Sequence, residues 1–125
     1  MKIGFCSIDG IKINEHFGKA EKIFVYDVNL HSAVFLEERK VEKADPNNEH
    51  LDSIDGKIEK IKDCKIIYFT QIGGPAAAKV IKNNIFPVNV RDGFPIEEAI
   101  GMLQKSFENP PLWIKKILRE ENEVK

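Results

Sequence analysis

Residues 65–84, KIIYFTQIGGPAAAKVIKNN, constrain the fold more than any other stretch of this chain. The run KIIYFTQI (65–72) is apolar, β-branched and aromatic, and of strand length. Gly73-Gly74-Pro75 breaks it, and AAAKVIKNN follows, where proline suits the first helical turn and the alanines favour helix. Asn83-Asn84 close that helix and FPVNV (86–90) begins another strand. A strand, a helix and a strand in such close succession form a crossover unit, and crossovers are right-handed.

The rest of the chain is arranged around that unit. Lys2 to Ile8 is a short apolar run ending at Asp9-Gly10, which predicts a strand buried on both faces. Ile23–Val28 (IFVYDV) and His31–Val41 (HSAVFLEERKV) are two more strands, and only Asn29-Leu30 separates them. So brief a link implies an antiparallel hairpin. Leu51, Ile54, Ile58 and Ile61 fall at helical spacing, interrupted by Asp55-Gly56. A further amphipathic helix begins near Pro95 and carries Ile96, Ile100, Leu103 and Phe107. Trp113, Ile114, Ile117 and Leu118 predict a short helix, frayed at its end, in the tail 109–125. The expectation is a single α/β domain over 1–125, three-layered, with a mixed five-stranded sheet of order 3-2-1-4-5 in which strand 2 is antiparallel.

In such a sheet the connections leave the first and fourth strands in opposite directions, so a crevice opens at their carboxyl ends. The loop KINEHFGKAEK, with His16 at its centre, leaves the first strand, and Gly73-Gly74 leaves the fourth. Both should border the crevice. Glycines let a backbone approach a ligand, and a helix N-terminus offers free N–H groups and a positive dipole end, so an anionic ligand suits the place. Lys19 and Lys79 would add positive charge there, or stand as ordinary surface lysines. A neutral imidazole at His16 would give one nitrogen to a metal. The bland alternative is that His16 caps its turn while Phe17 plugs the core. Cys6, near the carboxyl end of the first strand, faces either the crevice or the core. Cys64, before the fourth strand, belongs to the opposite end of the sheet. His31 and His50 stand in polar surroundings, and Trp113 reads as an anchor for the tail.

Composition narrows the classes of function. A net charge of −1 with 31% charged residues provides no field that would draw the chain to nucleic acid or an anionic membrane. The two cysteines form no CxxC pair, which argues against a disulfide framework or a structural zinc site and suits a reducing, cytoplasmic compartment. The start, MKIGFCSIDG, is too weakly basic and apolar for a signal peptide, and no run is long enough to span a membrane. IGFCSI and IIYFTQI carry no carboxylates for a two-metal nuclease, and Asp9 and Glu15 in the first loop make a poor clamp alone. There is no G-x-S-x-G elbow, P-loop or G-x-G-x-x-G spacing. No enzymatic activity is expected.

NEHFGKAEKIFVYDV, DCKIIYFTQIGGPAAAKVI, NIFPVNV, PIEEAIGMLQ and NPPLWIKKIL together resemble the dinitrogenase iron-molybdenum cofactor biosynthesis family, which includes NifX-like and NafY-like proteins and the C-terminal domain of NifB. The resemblance covers most of the chain and is weakest over 30–60. It implies a ribonuclease H-like fold and the binding or carriage of an iron-sulfur cluster or an iron-molybdenum cofactor precursor, with metallocofactor assembly proteins as partners. It also implies that the histidine of HFG, here His16, ligates the cluster. The candidate cofactor-binding set is therefore His16, Phe17, Gly18, Ile72, Gly73 and Gly74, with His16 and Cys6 as candidate metal ligands. Two other functions stay open on the residues: a small anionic-ligand module for phosphate or a nucleotide, and a regulatory protein in general iron-sulfur metabolism.

Overall fold

The computed structural model describes residues 1–41 and 52–123. Leu51 and His50 lie outside the described residues.

Strand β1 (Lys2–Cys6) is central. It pairs antiparallel with β3 (Lys22–Val28) on one side and parallel with β5 (Cys64–Phe69) on the other. The hairpin partner β4 (Ala33–Lys40) and the crossover partner β6 (Phe86–Asn89) complete a sheet of order β4-β3-β1-β5-β6. β3 runs antiparallel to both of its neighbours. Alternation along the strands sends Ile3, Phe5, Ile66 and Tyr68 to one face, and Cys6, Ile23, Val25 and Phe69 to the other. The second face packs on α1 (Asp52–Lys60) and α2 (Gly74–Lys82) through Ile58, Ile61 and Val80. The first packs on α3 (Ile96–Ser106) and α4 (Leu112–Glu123) through Ile96, Ile100, Leu103, Ile114 and Ile117. Burying both faces of a sheet on amphipathic helices removes most of its apolar area from water.

Three features differ from the reading of the sequence. β1 ends at Cys6 rather than Ile8, because Ser7 turns the chain: its hydroxyl is 2.5 Å from the Lys12 carbonyl and accepts from the Gly10 N–H. A second ladder, β2 (Lys12–Ile13) against β7 (Phe94–Pro95), was not foreseen, since two residues per strand carry no periodicity. The tail helix is longer than expected. It runs over 12 residues, buries Ile114 and Ile117, and stacks Trp113 on Phe86 with ring centroids 4.1 Å apart.

Candidate functional site

The loop after β1 begins as a rigid turn. Asp9 Oδ1 accepts from the N–H groups of Ile11 and Lys12 and sits 3.2 Å from the Ser7 hydroxyl. The N–H groups of Lys12 and Ile11 hold this carboxyl below the usual carboxylate range. Gly10 takes φ +75°, and a Cβ there would lie 2.6 Å from Phe24 Cε2, so only glycine fits. Asp9 thus holds the turn together.

Further on, the loop meets the end of β5. Thr70 N–H donates to the Glu15 carbonyl at 3.0 Å, and Phe17 N–H donates to the Gln71 carbonyl at 2.8 Å. These two bonds end the β5 ladder earlier than Ile72 and tie the residues on either side of His16 to the segment that leads into Gly73. Phe17 is fully buried and meets Phe69 edge to face, with centroids 6.2 Å apart. His16, one position back, is partly exposed, and its ring makes no hydrogen bond to another described residue. Its carbonyl accepts from the N–H groups of Lys19 and Ala20, closing a turn around Gly18. The capping role considered for the imidazole is filled by the His16 backbone.

Beyond Gln71, α2 starts at Gly74 with no side-chain cap, no acidic residue in its first turn and Pro75 at its start. Its first N–H groups have no intrahelical partner. Gly73 has ordinary extended geometry, φ −75° and ψ 152°. A Cβ at Gly73 or Gly74 would meet nothing within 4 Å. Neither backbone strain nor packing demands these glycines, and what their bareness leaves is room for an external group against the backbone. Ile72 borders a hollow of about 260 Å³ shared with Thr70, Gln71, Pro87 and Asn89.

One residue of this region was overlooked in the sequence. Lys57, on α1, is 1% exposed, and its ammonium donates to the carbonyls of Phe17 at 2.6 Å and Ala20 at 2.9 Å. It also lies 5.4 Å from the centre of the Phe17 ring. Burial lowers its pKa to about 8 against the pull of Cys6, Glu15 and Glu21. The signal was present, because Lys57 falls between Ile54 and Ile61 on the inward stripe of the helix. A charged residue there looks like a break in the pattern and is in fact the fastening of the HFG turn.

The other candidates separate. Cys6 is fully buried beside Phe17 and Ala20, and burial pushes its thiol up to about 12, so it sits in the core as a protonated thiol and does not line the rim. Cys64 is buried at the far end of the sheet, opposite Lys2. Lys79 lies in the last turn of α2 and is held by Asp55 at 2.8 Å, away from the helix start. Lys19 and His31 are exposed. Among the described residues no three of His, Cys, Asp and Glu converge on a common point. No helix among them is long and apolar enough to cross a membrane.

The family model described as dinitrogenase iron-molybdenum cofactor matches residues 1–106. The chain belongs to this family. It is 30% identical to Protein NifX of Herbaspirillum seropedicae over 124 residues, covering 98% of this chain and 85% of that one. To Protein NifY of Klebsiella pneumoniae it is 33% identical over 102 residues, which span 79% of this chain and 43% of the relative. It is also 34% identical over 80 residues to the FeMo cofactor biosynthesis protein NifB of Bradyrhizobium diazoefficiens, 62% of this chain and 16% of that one. Among solved structures, the crystal structure of PH0822 matches with a TM-score of 0.61 at 18% identity, covering 85% of this chain and 92% of the other, a likeness of fold. Membership of this family ties the chain to iron-molybdenum cofactor biosynthesis.

Proposed function

We propose that this protein binds and carries an iron-sulfur cluster or iron-molybdenum cofactor precursor, without catalysis, on a ribonuclease H-like scaffold. His16 is the direct metal ligand, and the Gly73-Gly74 backbone and the first N–H groups of α2 face the anionic cargo. The observation that supports the reading is the backbone pairing of Glu15 and Phe17 with Thr70 and Gln71, which ties the turn carrying the partly exposed His16 to the segment that leads into an uncapped, glycine-led helix start. Neutral imidazole suits iron, and N–H groups suit sulfides or appended carboxylates. A cluster arrives with its own sulfide ligands, so one protein nitrogen anchors it without the four thiolates that would resist release. Phe17 and Lys57 keep the turn in place. The cargo would be received from, and passed to, other assembly proteins.

The test is anaerobic incubation with isolated iron-molybdenum cofactor, desalting, and metal analysis with electron paramagnetic resonance. Loading of wild type and about a tenfold loss of affinity in His16→Ala are expected, a little over 1 kcal/mol. Equal loading of both would remove His16 from the site. Because an uncapped helix start also suits a plain anion, inorganic phosphate and nucleotides serve as comparison ligands in thermal shift. Stabilisation by these and none by the cofactor would favour the small-anion reading.

A further inference from the structure

A second cavity, of about 390 Å³, lies on the opposite face of the sheet from α2, against the carboxyl ends of β5 and β6. Its walls are Val88, Val90, Phe94 and Met102, and its polar groups include Tyr68 and Arg91. The size falls in the range of small-molecule sites, which bind outside the carboxyl ends of parallel strands. Two details mark it as more than a packing gap.

The first is Tyr68. Its side chain is 7% exposed and stacks on Phe5 with centroids 4.9 Å apart, yet its hydroxyl donates to no other described residue. A buried hydroxyl without a partner is costly, and no such atom exists among the described side chains, so the phenol oxygen keeps contact with solvent, on a residue that lines the cavity. Phenylalanine would serve the stacking equally well, which leaves the hydroxyl without a use inside the protein. The second is Arg91. Its guanidinium lies 5.0 Å from the centre of the Phe94 ring and forms no ion pair with a described carboxylate. The turn that carries it is preformed: Val90 N–H donates to Phe69, Gly93 N–H at φ +86° donates to Ile13, and Phe94 N–H donates to Arg91.

We infer that this cavity is a binding site for a small organic carboxylate with an apolar, ring-sized body, whose carboxylate takes the Tyr68 hydroxyl and the Arg91 guanidinium while its body lies on Val88, Val90 and Met102. The chemistry follows from the groups: a fixed donor and a planar cation select a carboxylate, and the apolar walls select its substituent. The site is separate from the His16 rim, although Asn89 borders both this cavity and the hollow at Ile72.

The experiment is a titration of the full chain, followed by amide chemical shifts, with benzoate and phenylacetate as probes. Benzyl alcohol is the uncharged counterpart and inorganic phosphate the anion without an apolar body. Either acid should shift the amides of Val88–Phe94 and Met102, with affinity lowered about tenfold in Arg91→Gln and several-fold in Tyr68→Phe. His16→Ala should bind the acids as wild type does. Both substitutions preserve the apolar packing, and an unchanged amide spectrum in the absence of probe shows that the fold is intact. The proposal is overturned if neither acid shifts these amides up to about 10 mM, if Arg91→Gln binds equally, or if benzyl alcohol or phosphate binds as tightly.

Discussion

The ammonium of Lys57 lies 2.6 Å from the carbonyl oxygen of Phe17, so a buried cation on α1 grips the residue next to His16. With the second bond, to Ala20, it secures the turn that follows His16. The apolar face of α1 therefore contributes to the candidate site as well as to the core.

Replacing Lys57 with Met removes both bonds and leaves two buried carbonyls without their donor. The expected cost is about 1–3 kcal/mol, moderated because a buried charge goes as well. Urea unfolding measures it. The same variant should alkylate faster at Cys6, which lies under the turn with Phe17 and Ala20. Unchanged stability and unchanged thiol reactivity would show that the turn holds without Lys57.

Stability should carry the mark of Lys57 at alkaline pH. Its pKa falls from 10.5 to about 8 on folding, so between these values the unfolded chain binds more protons and stability rises with pH. The contribution is fully present above the unfolded value and is lost as pH falls through about 8. It amounts to at most about 3 kcal/mol. Cys6 and Cys64, raised from 9.0 to about 12, act in the opposite sense above pH 9. The difference between wild type and Lys57→Met isolates the lysine, and a flat difference from pH 7 to 10.5 would speak against its desolvation.

Gly73→Ala and Gly74→Ala separate binding from folding. Since a Cβ at either position meets nothing within 4 Å, stability should change by no more than about 1 kcal/mol. Cofactor loading should fall in both variants if the bare backbone receives the cargo. A loss of folding on calorimetry would instead give these glycines a packing role.

At the other end of the sheet, Arg39 forks onto Asp63, with Nη1–Oδ1 at 2.6 Å and Nη2–Oδ2 at 2.8 Å. The Arg39 guanidinium, with help from Lys2, holds the Asp63 carboxyl well below the usual carboxylate range. Its stabilisation is present above the ordinary carboxylate pKa and lost as pH falls through the lower folded value. Because Asp63 is partly solvated, Asp63→Asn should cost about 0.5–1 kcal/mol at neutral pH. In acid the two proteins should converge, as denaturant melts at several pH values would show.

Much of the architecture was legible because it rests on local patterns. The Asn29-Leu30 link is too short for anything but a hairpin, and Gly73-Gly74-Pro75 marks the passage from strand to helix; β3 with β4, and β5 with α2, follow. The nearness of the HFG turn to the end of the strand before those glycines could be reasoned from the strand arrangement, and the backbone bonds that join Glu15 and Phe17 to Thr70 and Gln71 give it atomic form. Other residues were not readable in advance. The phase of the pleat at Cys6 depends on where β1 ends, which a buried Ser7 hydroxyl decides. Lys79 points to Asp55, a partner 24 positions away, and Tyr68 acquires a cavity only when β7 and α3 close over β6.

The amino-acid sequence alone determined the succession of the five main strands and the helices, the central place of the first strand and the family, since turn chemistry, periodicity and motif act over a few neighbouring residues. Only the tertiary structure decided that a lysine on an apolar helix face would fasten the HFG turn, that Cys6 would be sealed in the core, and that the Tyr68 hydroxyl would find no partner among the described residues. Each of these depends on groups tens of residues apart meeting in a low-dielectric interior, where the presence or absence of one partner sets both energy and protonation.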